Sequence, residues 1–571
     1  MLSNPKHYAS LLTQCISTKD LNFGKILHAH FIKTSLIFNS FISNRLIELY
    51  SKCYNIESAQ KVFDDFPDKN SHSWNAIISG YSKTGQFDHA YQLLDKMPEP
   101  YIVGYNSVIS GLVHHGFYEE SLCFFSTMHK MGSGFGLFLD EYTISSAVSS
   151  CAVLGAIKLL HQFHCVAIVL GFEFDVNVCN TLINAYGKCG KPDLCYSIFT
   201  RMPERDVVSW TSMVVAYAKA SRLNDACRVF HQMPVKNTVS WTALITAFSR
   251  NEQGIEALNL FDQMRKDGVQ PNVFTYAAVL GVCADLALIE KGKQLHGRII
   301  RSNTRAPLFS TFVFNAMIDM YCKCGNMTAA MLLFEKLPDK KNDVSWNSII
   351  TGFAHNGHIE ETLEMFKRMI AEKVKPNEVT FLGVLSGYCH TGLVDEGMKV
   401  FDLMSEHGLK PSLAHYAILI DLLGRKNRLN EAVEWIERAP GGSDHVRIWG
   451  ALLSACRVHG NTDLAHKAAK TLFKLEPQNA ARYVMLSNVY AAGNRWDETC
   501  QMRKLVGEKG LRKHAGCSWI EVNNTRHEFM AADMVHCSRE HVYEVIHELV
   551  DQMSEKGYLS CIEIDLEGDC F

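Results

Sequence analysis

Metal chemistry needs clustered histidines, cysteines and carboxylates, and this chain has many of each without the clustering. It holds 19 cysteines and 25 histidines. A hydrolytic zinc site that shuttles protons needs a His-x-Glu and, further on, a Cys-x-x-Cys to complete the ligand set. His358-Ile359-Glu360 is the one tempting fragment, and no Cys-x-x-Cys occurs anywhere. No carboxylate cluster suggests a nuclease either. The sequence therefore predicts no metal, no cofactor and no enzymatic centre. Cys53, Cys189 and Cys324 each follow "YSK", "YGK" or "YCK". A small residue at a helix crossing accounts for them better than a ligand does, and disulfides are not expected.

A second set of residues recurs on a beat. Trp74, Trp210, Trp241, Trp346 and Trp449 occupy one slot of a repeated unit, each followed by Asn, Thr or Gly. Trp210 and Trp241 are thirty-one residues apart, as are Pro67 and Pro98, and Pro203 and Pro234. A fixed period of this size means stacked copies of a small motif.

Something must position those slots, and the hydrophobic pattern says what. Trp241, Leu244, Ile245 and Phe248 fall on one helical face. Asn251 to Gly254 reads as a turn, and Ala257, Leu260, Phe261 and Met264 repeat the spacing on a second helix. Lys266 to Gly268 ends it, and Pro271 bars continuation. The unit is a helical hairpin that can bury its apolar faces only against neighbours. Thirteen copies start at Pro5, Ser40, Ser71, Ile102, Glu141, Val176, Val207, Thr238, Val273, Thr311, Asp343, Glu378 and Leu413. Extra residues at Gly132–Phe138 and Asn303–Pro307 read as loops. Beyond Val446 two more hairpins follow, then a strand-like "GLRKHAGCSWIEVNN", an amphipathic helix in "SREHVYEVIHELVDQMSEKG" and an acidic, frayed end.

The chain has 571 residues, 47% hydrophobic and 20% charged, with a formal net charge of −3. That composition suits a folded protein and gives no global basic field for nucleic acid. No apolar run is long enough to cross a membrane. The first unit begins near Pro5, so no presequence is visible.

"VVSWTSMVVAYAKASRLNDACRVFHQMP" (Val207 to Pro234) resembles a short pentatricopeptide repeat. "GKILHAHFIKTS" and "GKQLHGRIIRSN" are similar to long, L-type units of the plant PLS subclass. "YVMLSNVYAAGNRWDE" and "GCSWIEV" resemble its E region and E+ extension. The resemblance implies an all-α fold, a right-handed superhelical solenoid of helix-turn-helix repeats with a small C-terminal extension of helices and short strands. On this reading residues 1–445 form the repeat array, 446–523 the E region and 524–571 the E+ extension. It implies sequence-specific binding of single-stranded RNA in a plant organelle, the mitochondrion with the chloroplast as alternative, and selection of cytidines for C-to-U editing. Related proteins often carry a C-terminal DYW deaminase domain. This chain reaches Phe571 shortly after the segment resembling the approach to it. A DYW-type deaminase or another editing protein is therefore expected in trans, docked on residues 446–571, with Trp519, Tyr543 and the helix around Val545 as contacts or as core.

The family reads one base per repeat, with the residue after the first helix's aromatic and the last residue of the unit. A terminal Asp only accepts and favours uracil or guanine; a terminal Asn can donate and suits cytosine or adenine. Asn106 with Asp140 and Asn180 with Asp206 then read U. Thr211 with Asn237 and Thr242 with Asn272 read A. Asn44 with Asn70, Asn315 with Asn342 and Asn347 with Asn377 read C, with U tolerated. Ser145 with Asp175, in an L-type unit, favours G. Asn75 with Tyr101, and units with Ala9, Ala277, Leu382 or Ala417 in the first slot, are assigned no base. Repeats two to eleven spell 5′-C-x-U-G-U-A-A-x-C-C-3′, with the last repeat about four nucleotides before the edited cytidine. The terminal Asp or Asn would also serve as a helix N-cap, the bland explanation of its polarity.

The thirteenth residue of the unit is Lys52, Lys83, Lys188, Lys219, Arg250, Lys323 or Arg425 in seven copies, and His114, His355 or His390 in three. Stacking turns these into a ladder suited to phosphates, although a cation at a helix C-terminus also complements the dipole. Ser17, Val153 and Asp285 replace it in the L-type units, which should grip the backbone least. Two other functions fit a helical array: an RNA-binding factor for splicing or stabilisation, and a tetratricopeptide-like protein scaffold.

Overall fold

In the computed structural model, alternate helices begin at the thirteen residues that open the units, from Pro5 to Leu413. The structure describes residues 5–555, apart from short stretches at 35, 99–100, 136–138, 303–309, 338–340, 442–444, 512–515, 523–524 and 531–538. The chain falls into two compact bodies, Met1–Pro271 and Asn272–Phe571. Each is a stack of helical hairpins in which a first helix packs on its own second helix and on the first helix of the next repeat.

One hairpin shows why. The helix Thr238–Arg250 buries Trp241, Leu244, Ile245 and Phe248, and Gly254–Lys266 buries Ala257, Phe261 and Met264. Glu252 takes a left-handed φ of 61° in the turn, and Gly268 closes the second helix at φ 76°. Adjacent first helices approach closely at small residues. A Cβ on Gly111 would lie 2.9 Å from the Ser82 carbonyl oxygen, and one on Gly187 2.9 Å from Ala216 Cβ. These positions, and not Cys53, Cys189 and Cys324, are the helix crossings. Those cysteines sit one residue past the helix, as half-buried C-caps.

Four of the extra residues of the fourth repeat, Gly132 to Phe135, are helical where the sequence reads as a loop. The helix Tyr118–Phe135 runs through Gly132, because nothing in that stretch stops it until the glycine-rich end. Gly136–Phe138, the Asn303–Pro307 segment and the acidic end lie outside the described residues. After the thirteen hairpins come two more, Val446–His459 with Thr462–Leu475 and Ala480–Ala492 with Trp496–Glu508. Two strands, β1 (Cys517–Val522) and β2 (Thr525–Met530), pair antiparallel with Cys517 opposite Met530, and the helix Arg539–Glu555 follows.

Candidate nucleic-acid interface

The aromatic slot explains how the neighbouring polar residue is held. Trp74 packs edge-on against Phe63 of the preceding repeat, with centroids 5.0 Å apart. Trp210 on Phe199 (4.9 Å), Trp241 on Phe230 (4.7 Å) and Trp346 on Phe334 (4.8 Å) repeat the contact. Each such pair pins the first turn of a helix to the hairpin before it. The next residue along, the first reading slot, is thereby fixed at the edge of the stack.

The last residue of a repeat is the N-cap of the next helix. Asn70, Asp140, Asp175, Asp206, Asn237, Asn272, Asn342 and Asn377 all accept from the backbone N–H three residues on. Capping and base reading are therefore not rival explanations. The cap consumes Oδ1, so an Asn is oriented with its Nδ2 donor away from the helix, and an Asp keeps Oδ2 as an acceptor. Asp206 shows the strength of this clamp. Burial works against its charge, but hydrogen bonds from the Ser209 N–H and hydroxyl and from Asn180 hold its carboxyl below the usual range.

The structure brings most sequence-derived pairs together. Asn44 Nδ2 donates to Asn70 Oδ1 at 3.1 Å, Asn180 Nδ2 to Asp206 at 3.1 Å, Asn315 to Asn342 at 3.3 Å and Asn347 to Asn377 at 3.1 Å. Asn106 Nδ2 meets both oxygens of Asp140, at 2.9 and 2.8 Å. The threonine units differ. Thr211 and Thr242 donate their hydroxyl protons back to the Val207 and Thr238 carbonyls, both at 2.7 Å. Ser145 is not joined to Asp175: its Oγ is shut away without a partner, while Asp175 caps its own helix. Asn75 is likewise unmatched, since Tyr101 makes no side-chain cap.

In repeats two to four the two sets of slots face one groove. Asn44, Asn70, Asn75, Lys52, Lys83 and Val103 line one stretch. Lys52, Lys83, Asn106, Asp140 and His114 line its continuation. Farther along, burial and the nearby Lys188 and Arg250 push the Lys219 ammonium below its ordinary pKa. Three cations from successive repeats are thus close enough to repel. Lys83, Lys188, Lys219 and Arg250 form no ion pair among the described residues, whereas Lys52 binds Glu48 at 3.1 Å.

The cations of the C-terminal body are paired. Lys323 bridges Asp285 at 3.0 Å and Asp319 at 3.2 Å, and Arg425 meets Asp421 at 3.0 Å. Burial disfavours the Lys323 charge, but the two aspartates outweigh it and raise its pKa. Asp285 thus does more than omit a cation: it occupies the neighbouring one. Burial, with His390 and Lys323 nearby, lowers the His355 pKa, so this rung is largely neutral at pH 7. His358 lies 3.9 Å from Glu361, and no group of three metal-ligating side chains occurs among the described residues.

A third stripe escaped the sequence reading. The second residue of the first helix is apolar yet exposed: Phe41, Val103, Tyr142, Val208, Val239, Phe274, Phe312, Val344 and Val379 are all between 50 and 65% accessible. It sits three positions before the first reading slot, and Phe41 and Val103 line the same groove as Asn44 and Asn75. The signal was an apolar residue recurring one place off the buried face.

Comparison with known proteins fits this geometry. The model of the PPR repeat matches residues 72–99, 103–133, 178–207, 208–238, 312–341 and 379–409, and that of the PPR repeat family matches 236–285 and 341–390. A pentatricopeptide repeat-containing protein of Arabidopsis thaliana is 38% identical over 553 residues, covering 96% of this chain and 70% of its own. A second from Arabidopsis thaliana, named mitochondrial, is 33% identical, covering 98% and 79%. The chain is a pentatricopeptide repeat protein. This member of the family also matches the E motif at residues 459–521, and is of the PLS type with an E motif. Another similar Arabidopsis thaliana relative is named chloroplastic. The solved structure of the pentatricopeptide repeat protein PPR10 from maize is 17% identical with a TM-score of 0.41, each chain being 89% covered. That maize protein has also been solved with an 18-nucleotide psaJ RNA element.

In this pentatricopeptide repeat protein several large apolar side chains at the end of the E motif and on the last described helix are open to solvent. Trp519 on β1 is 40% exposed, and its indole N–H donates to the Leu286 carbonyl at 2.9 Å. Tyr543 and Val545 are exposed as well, with Ile546 and Leu549 beside them on the last helix. Among the described residues, these side chains are at least 40% exposed and so are not an internal core there.

Proposed function

We propose that this protein binds single-stranded RNA of a plant organelle by sequence and selects cytidines for C-to-U editing. The observation that carries the reading is the row of capped polar pairs beside a cation ladder in which Lys83, Lys188, Lys219 and Arg250 form no ion pair among the described residues. Each cap leaves a donor edge on Asn or an acceptor edge on Asp, which distinguishes cytosine and adenine from uracil and guanine. The exposed apolar residues beside the pairs offer faces on which bases stack. Lys188, Lys219 and Arg250 supply phosphate contacts, which position the strand without specifying it. The string for repeats two to eleven is 5′-C-x-U-G-U-A-A-x-C-C-3′. In this reading residues 446–523 act as E region and 524–571 as E+ extension, and a DYW-type deaminase docks there in trans. Exposed Trp519, Tyr543 and Val545 are the contacts we assign to it. The mitochondrion is the organelle we favour.

Selection from a random RNA pool tests the binding part. Enrichment of the string is the expected result; recovery of RNAs without a shared sequence would refute base reading. For the editing part, plants lacking the gene should lose a C-to-U event just downstream of the string. Loss of a spliced or stabilised transcript with every editing event intact would assign the protein to the other class.

A further inference from the structure

Most reading pairs in this structure have a third member, donated by the following repeat. Three residues into the next first helix stands a fully buried Ser or Thr: Ser73, Thr143, Ser209, Ser240, Ser345 and Thr380 are all inaccessible to solvent. In several repeats its oxygen accepts the N–H of the cap residue, as from Asn70 at 3.3 Å and Asn377 at 3.1 Å. Its single proton must then go elsewhere. In three repeats it reaches the first reading residue: Ser73 Oγ lies 2.7 Å from Asn44 Oδ1, Thr143 Oγ1 2.5 Å from Asn106 Oδ1 and Thr380 Oγ1 2.6 Å from Asn347 Oδ1. The cap oxygen competes for the same proton, at 3.1 Å from Ser73, 2.6 Å from Thr143 and 3.2 Å from Thr380.

In two other repeats the cap takes the proton alone. Ser209 donates to Asp206 at 2.8 Å and Ser345 to Asn342 at 2.8 Å. There Asn180 Oδ1 and Asn315 Oδ1 are buried without a partner. The third repeat lacks the hydroxyl altogether. Gly104 stands in its place, and Asn75 Oδ1 is again without a partner.

We propose that this buried hydroxyl is a positioning residue for base selection. It fixes which end of the reading amide faces the base. The inference rests on the base-reading function above. An amide has a donor end and an acceptor end of nearly the same shape, so only its partners decide its orientation. A hydroxyl that donates to Oδ1 holds the oxygen inward and turns Nδ2 toward the cap and the groove. Without it only the cap oxygen holds the amide, and the distinction between cytosine and uracil weakens. Asn44, Asn106 and Asn347 are locked in this way. Asn180, Asn315 and Asn75 are not, and their repeats discriminate less.

Ser73 and Ser345 make a matched test. Both follow an Asn–Asn pair that reads C, and only Ser73 reaches the reading amide. Ser73→Ala should cut the C-over-U preference at the facing nucleotide about three- to tenfold, the size of one lost hydrogen bond. Ser73→Thr should restore it. Ser345→Ala removes a comparable cap contact and should leave the preference at its own nucleotide unchanged. Melting of each variant separates lost fold from lost orientation. Asn44→Thr, measured alongside, should move the preference from C to A. If Asn44→Thr shifts the base and Ser73→Ala leaves C over U intact, the positioning role is wrong and base reading stands. Equal losses in Ser73→Ala and Ser345→Ala would show a merely structural hydroxyl and also overturn the proposal. If Asn44→Thr changes nothing, base reading fails and the positioning role fails with it.

Discussion

The same slot behaves differently in the two bodies. At the end of the helices Val176–Lys188, Val207–Lys219 and Thr238–Arg250 stand three cations without ion pairs among the described residues. At the ends of Thr311–Lys323 and Leu413–Arg425 stand two that are already held by aspartates, with a largely neutral His355 in the repeat from Asp343. A cation that repels its neighbours gains from a phosphate; one bridged to carboxylates must give up a partner first. On the proposed reading, the backbone grip is strongest in repeats six to eight, where three open cations are consecutive, with Lys83 of the third repeat a further open cation. On the same reading, the amide pairs of the C-terminal body would have less electrostatic help.

Replacing three of the four open cations, those of consecutive repeats, should have the largest effect. Lys188→Ala, Lys219→Ala and Arg250→Ala together should weaken every RNA alike and flatten the log–log salt slope by about 2, at roughly 0.7 per phosphate contact on a single strand. Lys323→Ala with Arg425→Ala should change that slope by well under one contact. Equal slopes for the two variants would break the comparison. Asp285→Asn comes next. Releasing Lys323 from one of its two carboxylates should raise affinity about twofold to fivefold at low salt, as expected for an exposed pair. A fall in affinity would show that Asp285 supports the interface.

The pH effect is smaller. The His355 pKa is lowered, so this side chain gains its proton only as pH falls below the ordinary histidine range. The groups that set this are its burial, His390, Lys323 and Asp319. RNA binding favours the charged form, so affinity should rise modestly between pH 7.5 and 5.5, and His355→Gln should remove that part of the rise. The linked stability runs the other way. A histidine whose folded pKa is lowered makes the fold less stable as pH drops through the unfolded value near 6.5. A melting series of wild type against His355→Gln over the same range reads that sign.

Much of this was written in the chain because one spacing repeats thirteen times. The period placed the start of every first helix, and the aromatic slot placed the reading residue beside it. What the period could not show was side-chain partnership. Lys323 and Lys219 occupy identical slots, and only three dimensions reveal that Asp285 reaches the first, from thirty-eight residues away. Ser145 and Asp175 fit the pair pattern in sequence, yet the Ser145 hydroxyl ends in a closed space. Val208 and Val239 look like core residues until the helix is seen end-on, where they stand one step off the buried face. Cys53 illustrates the opposite error. Its recurrence suggested a crossing, but the crossing is made by Ser51 two residues earlier, against Gly80.

The account turns on whether two side chains per repeat choose a base. Thr211→Asn with Asn237→Asp, in the repeat from Val207, tests it most directly. The double variant and the wild type should be compared against two RNAs that differ only in A or U at the facing nucleotide. The account predicts that preference reverses from A to U, by about tenfold or more on the scale of a hydrogen-bonded base contact, with the salt slope unchanged. An unchanged preference, in a variant that still binds, would contradict it.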